Sequence, residues 1–269
     1  MEKAHELTFE SPSFFQRLKG MLGVDFYRLF HTPMFYIFLC IAALIPALVL
    51  GTTDVETSMY TNTWQVVAAE TPLYIVSDMG EYANMNMVFI FGGIMVSIFI
   101  GHDYKSGYVK QLFTTHAKKQ DYMMSKSITC AFAMACMCIT YLIGTVASGL
   151  LVGMPFHANA GSLILAIVSK MIMSLGWASL YTFLNVIFRR YFGISIASSF
   201  FFGTGILIIG AAAVVGNSSL LNIFLYGASV YAGLSSNLMT LLVCLIVSVL
   251  WAVIYNVLGS VILSRSDVY

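Results

Sequence analysis

The chain has 269 residues, of which 59% are hydrophobic and only 9% charged, and its mean hydropathy is +0.86. A soluble domain carries about 25% charged residues, so this composition cannot make a polar shell and excludes a soluble enzyme, a nucleic-acid-binding protein and a disordered chain. It specifies an integral membrane protein, and the net charge of +1 gains meaning only when mapped along the chain.

The first 30 residues hold no apolar core of the kind a signal peptide needs, and the N-terminus is expected to stay in the cytoplasm. Within them, SPSFFQRLKGMLGVDFYRLFHTP reads as an amphipathic helix over 11–32. Ser11 is the expected cap and Pro12 the first helical position. Phe14, Leu18, Met21, Leu22, Phe26 and Leu29 recur at helical spacing, Asp25 interrupts that stripe, and Thr32–Pro33 ends it. Such a helix lies along the inner leaflet, as a plain anchor or as a docking point for a partner.

Six apolar runs are long enough to span a bilayer: 33–50, 82–100, 127–152, 163–188, 191–215 and 238–263. Twelve of the thirteen basic residues fall on one side of them. Lys3, Arg17, Lys19 and Arg28 precede the first span, and Lys105, Lys110, Lys118, Lys119 and Lys126 lie between the second and third. Arg189 and Arg190 separate the fourth and fifth, and Arg265 follows the sixth. The opposite loop, 51–81, carries Asp54, Glu56, Glu70, Asp78 and Glu81 and no Lys or Arg. The positive-inside rule therefore places both termini in the cytoplasm.

No Asp, Glu or His is expected in the core of any span, which argues against proton-coupled transport and intramembrane proteolysis. There is no Walker A loop to bind ATP. The thirteenth basic residue, Lys170, sits about two turns into the fourth span, and two readings stand: it snorkels outward, or it lines a substrate or subunit surface. Cys40, Cys130, Cys136, Cys138 and Cys244 all fall in apolar runs and read as small buried hydrophobes. His31, His102, His116 and His157 are scattered, and read as structural.

Between the second and third spans, HDYKSGYVKQLFTTHAKKQDYMMSK aligns Tyr104, Tyr108 and Leu112 at four-residue spacing, with Val109 and Phe113 beside them and basic residues around the stripe. Thr114, Thr115 and His116 read as a turn, after which a new helix starts near Lys118. A short helix so placed suits force transmission; an ordinary basic loop is the other reading. In the fifth span, Ser195, Ser199 and Gly203 form a small-residue stripe that permits close helix approach, within one subunit or between two.

This loop, in its setting, resembles that of ABC exporter permeases of type two. Asp103, Lys105, Gly107, Lys110, Lys118, Lys119 and Lys126 match that family's acidic-basic-Gly motif, coupling helix and basic stretch, with Asp103 where Glu is commoner and Tyr108 where Thr is commoner. The resemblance implies an all-α polytopic membrane protein with a single transmembrane domain over 1–269. It has six transmembrane helices, an N-terminal amphipathic elbow helix, a cytoplasmic coupling helix over 104–120 and an external re-entrant segment over 216–236. No ATP-binding domain lies in this chain.

By the same resemblance, ABC ATPase subunits carry ATP and Mg, and a second permease subunit pairs with this one, as a homo- or heterodimer among membrane lipids. Coupling falls to Asp103, Tyr104, Lys105, Gly107, Tyr108, Lys110, Leu112 and Phe113, with Arg189 and Arg190 as a second contact. The substrate path or dimer interface is expected from Asn84, Asn86, Phe89, Phe91 and Met95, from Ser195, Ser199, Phe202 and Gly203, and from Lys170. Aromatic and Met surfaces suit an amphipathic peptide, antibiotic or lipid-like substrate. The branch implied is bacterial peptide or antibiotic efflux or immunity, in the cell membrane. The alternative is a non-transporting receptor or immunity scaffold that binds a cationic peptide at the acidic loop.

Overall fold

The computed structural model describes residues 13–52, 87–114, 117–152, 160–206, 210, 222–234 and 238–265. Within them the chain is helical: α1 (Phe14–His31), α2 (Pro33–Thr52), α3 (Met87–Lys105), α4 (Tyr108–Thr114), α5 (Lys119–Val152), α6 (Ala160–Ile187), α7 (Phe192–Gly203), α8 (Leu225–Leu234) and α9 (Leu238–Arg265). Among the described residues, four helical segments are long and apolar enough to cross a membrane: Met87–Lys105, Lys119–Ser148, Ile167–Ile187 and Leu238–Arg265. Phe14–His31 and Pro33–Ala47, bent by 65°, make a fifth if the pair is counted as one span. The six expected spans thus correspond to four full helices, one helix of a bent pair and the short apolar α7. The acidic loop lies outside the described residues, as do Asn84, Asn86 and most of the segment between α7 and α8.

The start of α1 differs from expectation. Ser13, not Ser11, is the cap, because Gln16 can complete a reciprocal box with it: Ser13 N–H donates to Gln16 Oε1 at 3.0 Å and Gln16 N–H to Ser13 Oγ at 3.4 Å. Thr32 ends α1 in an extended conformation, and Pro33 opens α2 where its missing N–H costs nothing. The expected helix over 104–120 is also divided. α3 runs on to Lys105, Gly107 takes a left-handed φ of +75° that a side chain would oppose, and α4 restarts at Tyr108. The Tyr104–Tyr108–Leu112 stripe is therefore split across two helices. In the expected span 191–215, α7 ends at Gly203 and Gly205 has φ +68°, so the helix breaks there.

α6 is the most buried of the four spans and α9 the least. α6 touches α3, α5, α8 and α9; α2 lies along α5, and α7 along α3. Trp177 of α6 stacks on Phe89 and on Tyr181, both at 5.6 Å between centroids. Polar pairs tie the helices where lipid offers no hydrophobic drive for association. Ser248 Oγ of α9 accepts from Gly176 N–H at 3.0 Å and donates to Ile172 O at 2.6 Å. These two α6 groups are an i, i−4 pair, so a hydroxyl from α9 enters the α6 ladder. Of the five cysteines, Cys130, Cys138 and Cys244 are buried, Cys136 is intermediate and Cys40 is exposed on α2, which corrects the expectation that all five are buried.

α2 and α5 approach so closely that a methyl on Gly144 would lie 2.8 Å from Ala43 Cα and overlap the Ala43 carbonyl. Gly20 of α1, by contrast, has open space around it. Gly144→Ala is expected to destabilise the protein by about 1–3 kcal/mol. Gly20→Ala should stabilise it by roughly 0.5–1 kcal/mol. Thermal unfolding of the purified protein in detergent checks both signs.

Candidate functional site

The helices meet in a buried cluster of opposite charges where α1, α4, the end of α3 and the start of α5 converge. Each member comes from a different place in the chain. Asp25 lies on the inward stripe of α1 with Leu18 and Leu29, and its interruption of the apolar pattern is what brings a carboxylate to the α5 surface. Asp103 is near the C-terminal end of α3. Lys126 is about two turns into α5, which begins at Lys119, beside the helix start expected near Lys118 and ahead of the apolar run 127–152. Arg28 follows Asp25 by one turn of α1.

Lys126 Nζ stands 2.6 Å from Asp25 Oδ1 and 2.6 Å from Asp103 Oδ2, with all three residues at 1% exposure or less. Arg28 pairs with the other oxygen of Asp103. Ser125 Oγ donates to Asp25 Oδ2 at 2.6 Å. Two carboxylates and two cations make the cluster neutral, which permits its burial. Aromatic rings close it: Arg28 lies 4.0 Å from the Tyr108 centroid, and Lys126 4.7 Å from that of Phe99. Burial pushes the Tyr108 phenol up, as does the field of Asp25, against the opposing pull of Lys126 and Arg28, so Tyr108 is neutral near pH 7.

Two further contacts widen the clamp. Arg17 Nε is 2.7 Å from Asp121 Oδ2, joining α1 to α5 a second time. Lys119 Nζ donates to Leu263 O at 2.8 Å, where its charge satisfies a carbonyl at the C-terminal end of α9. The basic end of the bundle is thus one connected unit, and α4 joins it through Tyr108 and through buried Val109, which packs with Tyr122, Met123, Val186 and Leu263.

The expected coupling residues gather here in part. Asp103 and Tyr108 belong to the cluster, and Leu112 and Phe113 pack beside Val109. Gly107 forms the turn, and Lys110 is exposed on α4. Tyr104, Lys105, Arg189 and Arg190 instead line a separate cleft of about 350 Å³. The expected path residues Phe89, Met95, Ser195, Ser199 and Gly203 are buried within the chain, and Phe91 and Phe202 are half-buried. Ser199 Oγ meets Ser97 Oγ at 2.8 Å, and Asn185 Nδ2 donates to Ser97 Oγ at 3.1 Å, so the small stripe of α7 faces α3 of its own chain. Lys170 is 6% exposed and donates to Ser229 O of α8 at 2.8 Å. It therefore does not snorkel to water: it ties α6 to α8.

Asp25, Arg28 and Lys126 are the charged cluster members that sequence reasoning did not assign to the site; Lys126 was matched only to the family's basic stretch. The signal for Asp25 was present, as the one carboxylate on an apolar stripe; Arg28 carried no such mark.

Removing one charge leaves the cluster with a buried imbalance, worth about 3–5 kcal/mol. Asp25→Leu and Lys126→Met are each expected to lower stability by that order. The double variant leaves the Arg28–Asp103 pair neutral and should recover much of the loss. Melting temperatures of the two singles and the double, read as a cycle, check this; additive losses would show that the charges do not interact.

A family model described as ABC-2 family transporter protein matches residues 22–211, well over half of the chain and inclusive of every member of the cluster. Comparison with curated protein sequences gives no match. With apolar spans, a basic end and this match, the chain belongs to the ABC-2 transporter family, as a multi-pass membrane permease subunit rather than the ATPase.

Proposed function

We propose that the protein is the permease subunit of an ATP-driven exporter in a bacterial cell membrane, with its basic end and both termini in the cytoplasm. Two permease subunits pair, and separate ATPase subunits that bind ATP and Mg engage α4 from below. The observation that carries this reading is the attachment of α4. Its seven residues are too few for a stable isolated helix. It is held instead by Tyr108 over Arg28 and by Val109 in an apolar pocket. A push on α4 therefore reaches α1, α3 and α5 through one rigid charge cluster.

α4 turns Lys110 and Gln111 outward, and they are the side chains that meet the ATPase. Arg189 and Arg190 supply the second contact, at the turn between α6 and α7. α1 acts as the elbow helix, with Phe15 at 79% and Tyr27 at 64% exposure directed at lipid or the ATPase. Since Ser195, Ser199 and Gly203 are used inside the chain, the pairing surface is the opposite side of α7, where Ile194, Phe200 and Phe201 are exposed. A path bordered by such aromatic and aliphatic side chains suits an amphipathic peptide, antibiotic or lipid-like substrate.

Replacing Lys110 and Gln111 by Glu changes the outward face of α4 and leaves its buried anchors intact. Association with the co-expressed ATPase is expected to fall about tenfold or more, as for loss and reversal of interfacial charge, while the melting temperature of the permease alone stays unchanged. Co-purification and ATP-dependent export measure it. Retention of both at wild-type level would remove α4 from the coupling role.

A further inference from the structure

The cleft at the α6–α7 turn has a chemistry that coupling alone does not use. Its lining comes from the ends of three helices at the basic end: Gly101, Tyr104 and Lys105 of α3, Asn185 of α6, and Phe192 and Ser195 of α7, with Phe188, Arg189 and Arg190 between the last two helices. Three of these residues are cations and none is a carboxylate. Asp103, the nearest acid in sequence, is committed to Lys126 and Arg28. Asn185 is buried, donates to Ser97 and to Tyr181 O, and accepts from Ser195 Oγ, which fixes its orientation.

The aromatic wall gives a second constraint. Gly101 lets the Phe192 ring lie directly on α3, since a methyl there would overlap the ring. Phe192 is nonetheless 47% exposed, so the cleft opens at the first turn of α7. A cleft lined by three cations, no carboxylate and an aromatic wall is matched to a ligand with an anionic head and an apolar tail. α3 ends at Lys105 and α6 at Ile187, which puts the cations at the depth where a span meets the lipid headgroups.

We propose that this cleft binds the phosphate headgroup of an anionic membrane lipid. The guanidinium group of Arg190 offers planar paired donors to phosphate oxygens, and Lys105 adds a compact charge. A free phosphate has the same head and no tail, and it would gain nothing from Phe192. The proposal concerns the permease alone, and its cleft includes Arg189 and Arg190, the second ATPase contact proposed above.

The full chain, purified in detergent, is offered dioleoylphosphatidylglycerol or dioleoylphosphatidylcholine, and bound lipid is read by native mass spectrometry. The expected result is retention of phosphatidylglycerol over phosphatidylcholine. Lys105→Gln with Arg190→Gln should cut that retention roughly tenfold or more, from a factor of about five for each basic side chain. Lys19→Gln with Lys118→Gln removes equal charge elsewhere and should retain the lipid. Lys105→Arg with Arg190→Lys preserves charge and should retain it as well, which separates loss of the site from loss of the fold. Equal retention of the two lipids, or unchanged retention in the cleft variant, would overturn the proposal. Full displacement by millimolar inorganic phosphate would overturn the lipid as the source of the headgroup. Loss of ATPase co-purification with lipid retention unchanged would assign the cations to the partner and overturn it too.

Discussion

The bond between Lys126 and its two carboxylates is the constraint on which the basic end depends. A lysine at that depth is tolerable only when compensated. Asp25 and Asp103 compensate it from two different helices, and Arg28 restores the balance. The same four charges that would be costly singly therefore fix where α1 lies on α5, how α3 ends, and where Tyr108 can sit. Electroneutrality in a low-dielectric setting acts here as a positional device.

Deeper in the bundle, hydroxyls replace charges. Ser248 enters the α6 backbone ladder, and Ser127 Oγ donates to Asn256 Oδ1 at 2.9 Å across α5 and α9. Lys170 is an exception among the described residues, and it donates to a backbone carbonyl of α8. The division has a mechanical consequence. Hydroxyl contacts are individually modest, on the order of 1 kcal/mol in a membrane, so the spans can rearrange. The charge cluster resists separation and moves as a piece. A permease driven from its basic end, as proposed, needs both properties.

Much of this was legible in the residue pattern because lipid imposes simple rules. Charge scarcity and the placement of twelve basic residues gave the membrane class and the expected sidedness, and the loop around Asp103 gave the family that the match over 22–211 supports. What could not be read were contacts between distant segments. A helix was expected from near Lys118, so Lys126 could be placed on α5, which starts at Lys119, but not against Asp25 and Asp103. Gly107 matched a motif, but its left-handed φ, which splits one expected helix into two, depends on tertiary anchoring of Tyr108 and Val109. The Ser195–Ser199–Gly203 stripe read as a close-approach surface, within one subunit or between two; three-dimensional packing puts α3 of the same chain against it.

The clamp predicts a specific pattern of cooperativity. Hydrogen–deuterium exchange of Asp103→Asn against the wild-type protein tests it most directly. If the cluster unites the basic end, neutralising one residue of α3 raises exchange together in α1, α4 and the first turns of α5, segments far apart in sequence. An increase confined to the last turn of α3, with α1 and α4 as protected as in the wild type, would contradict it.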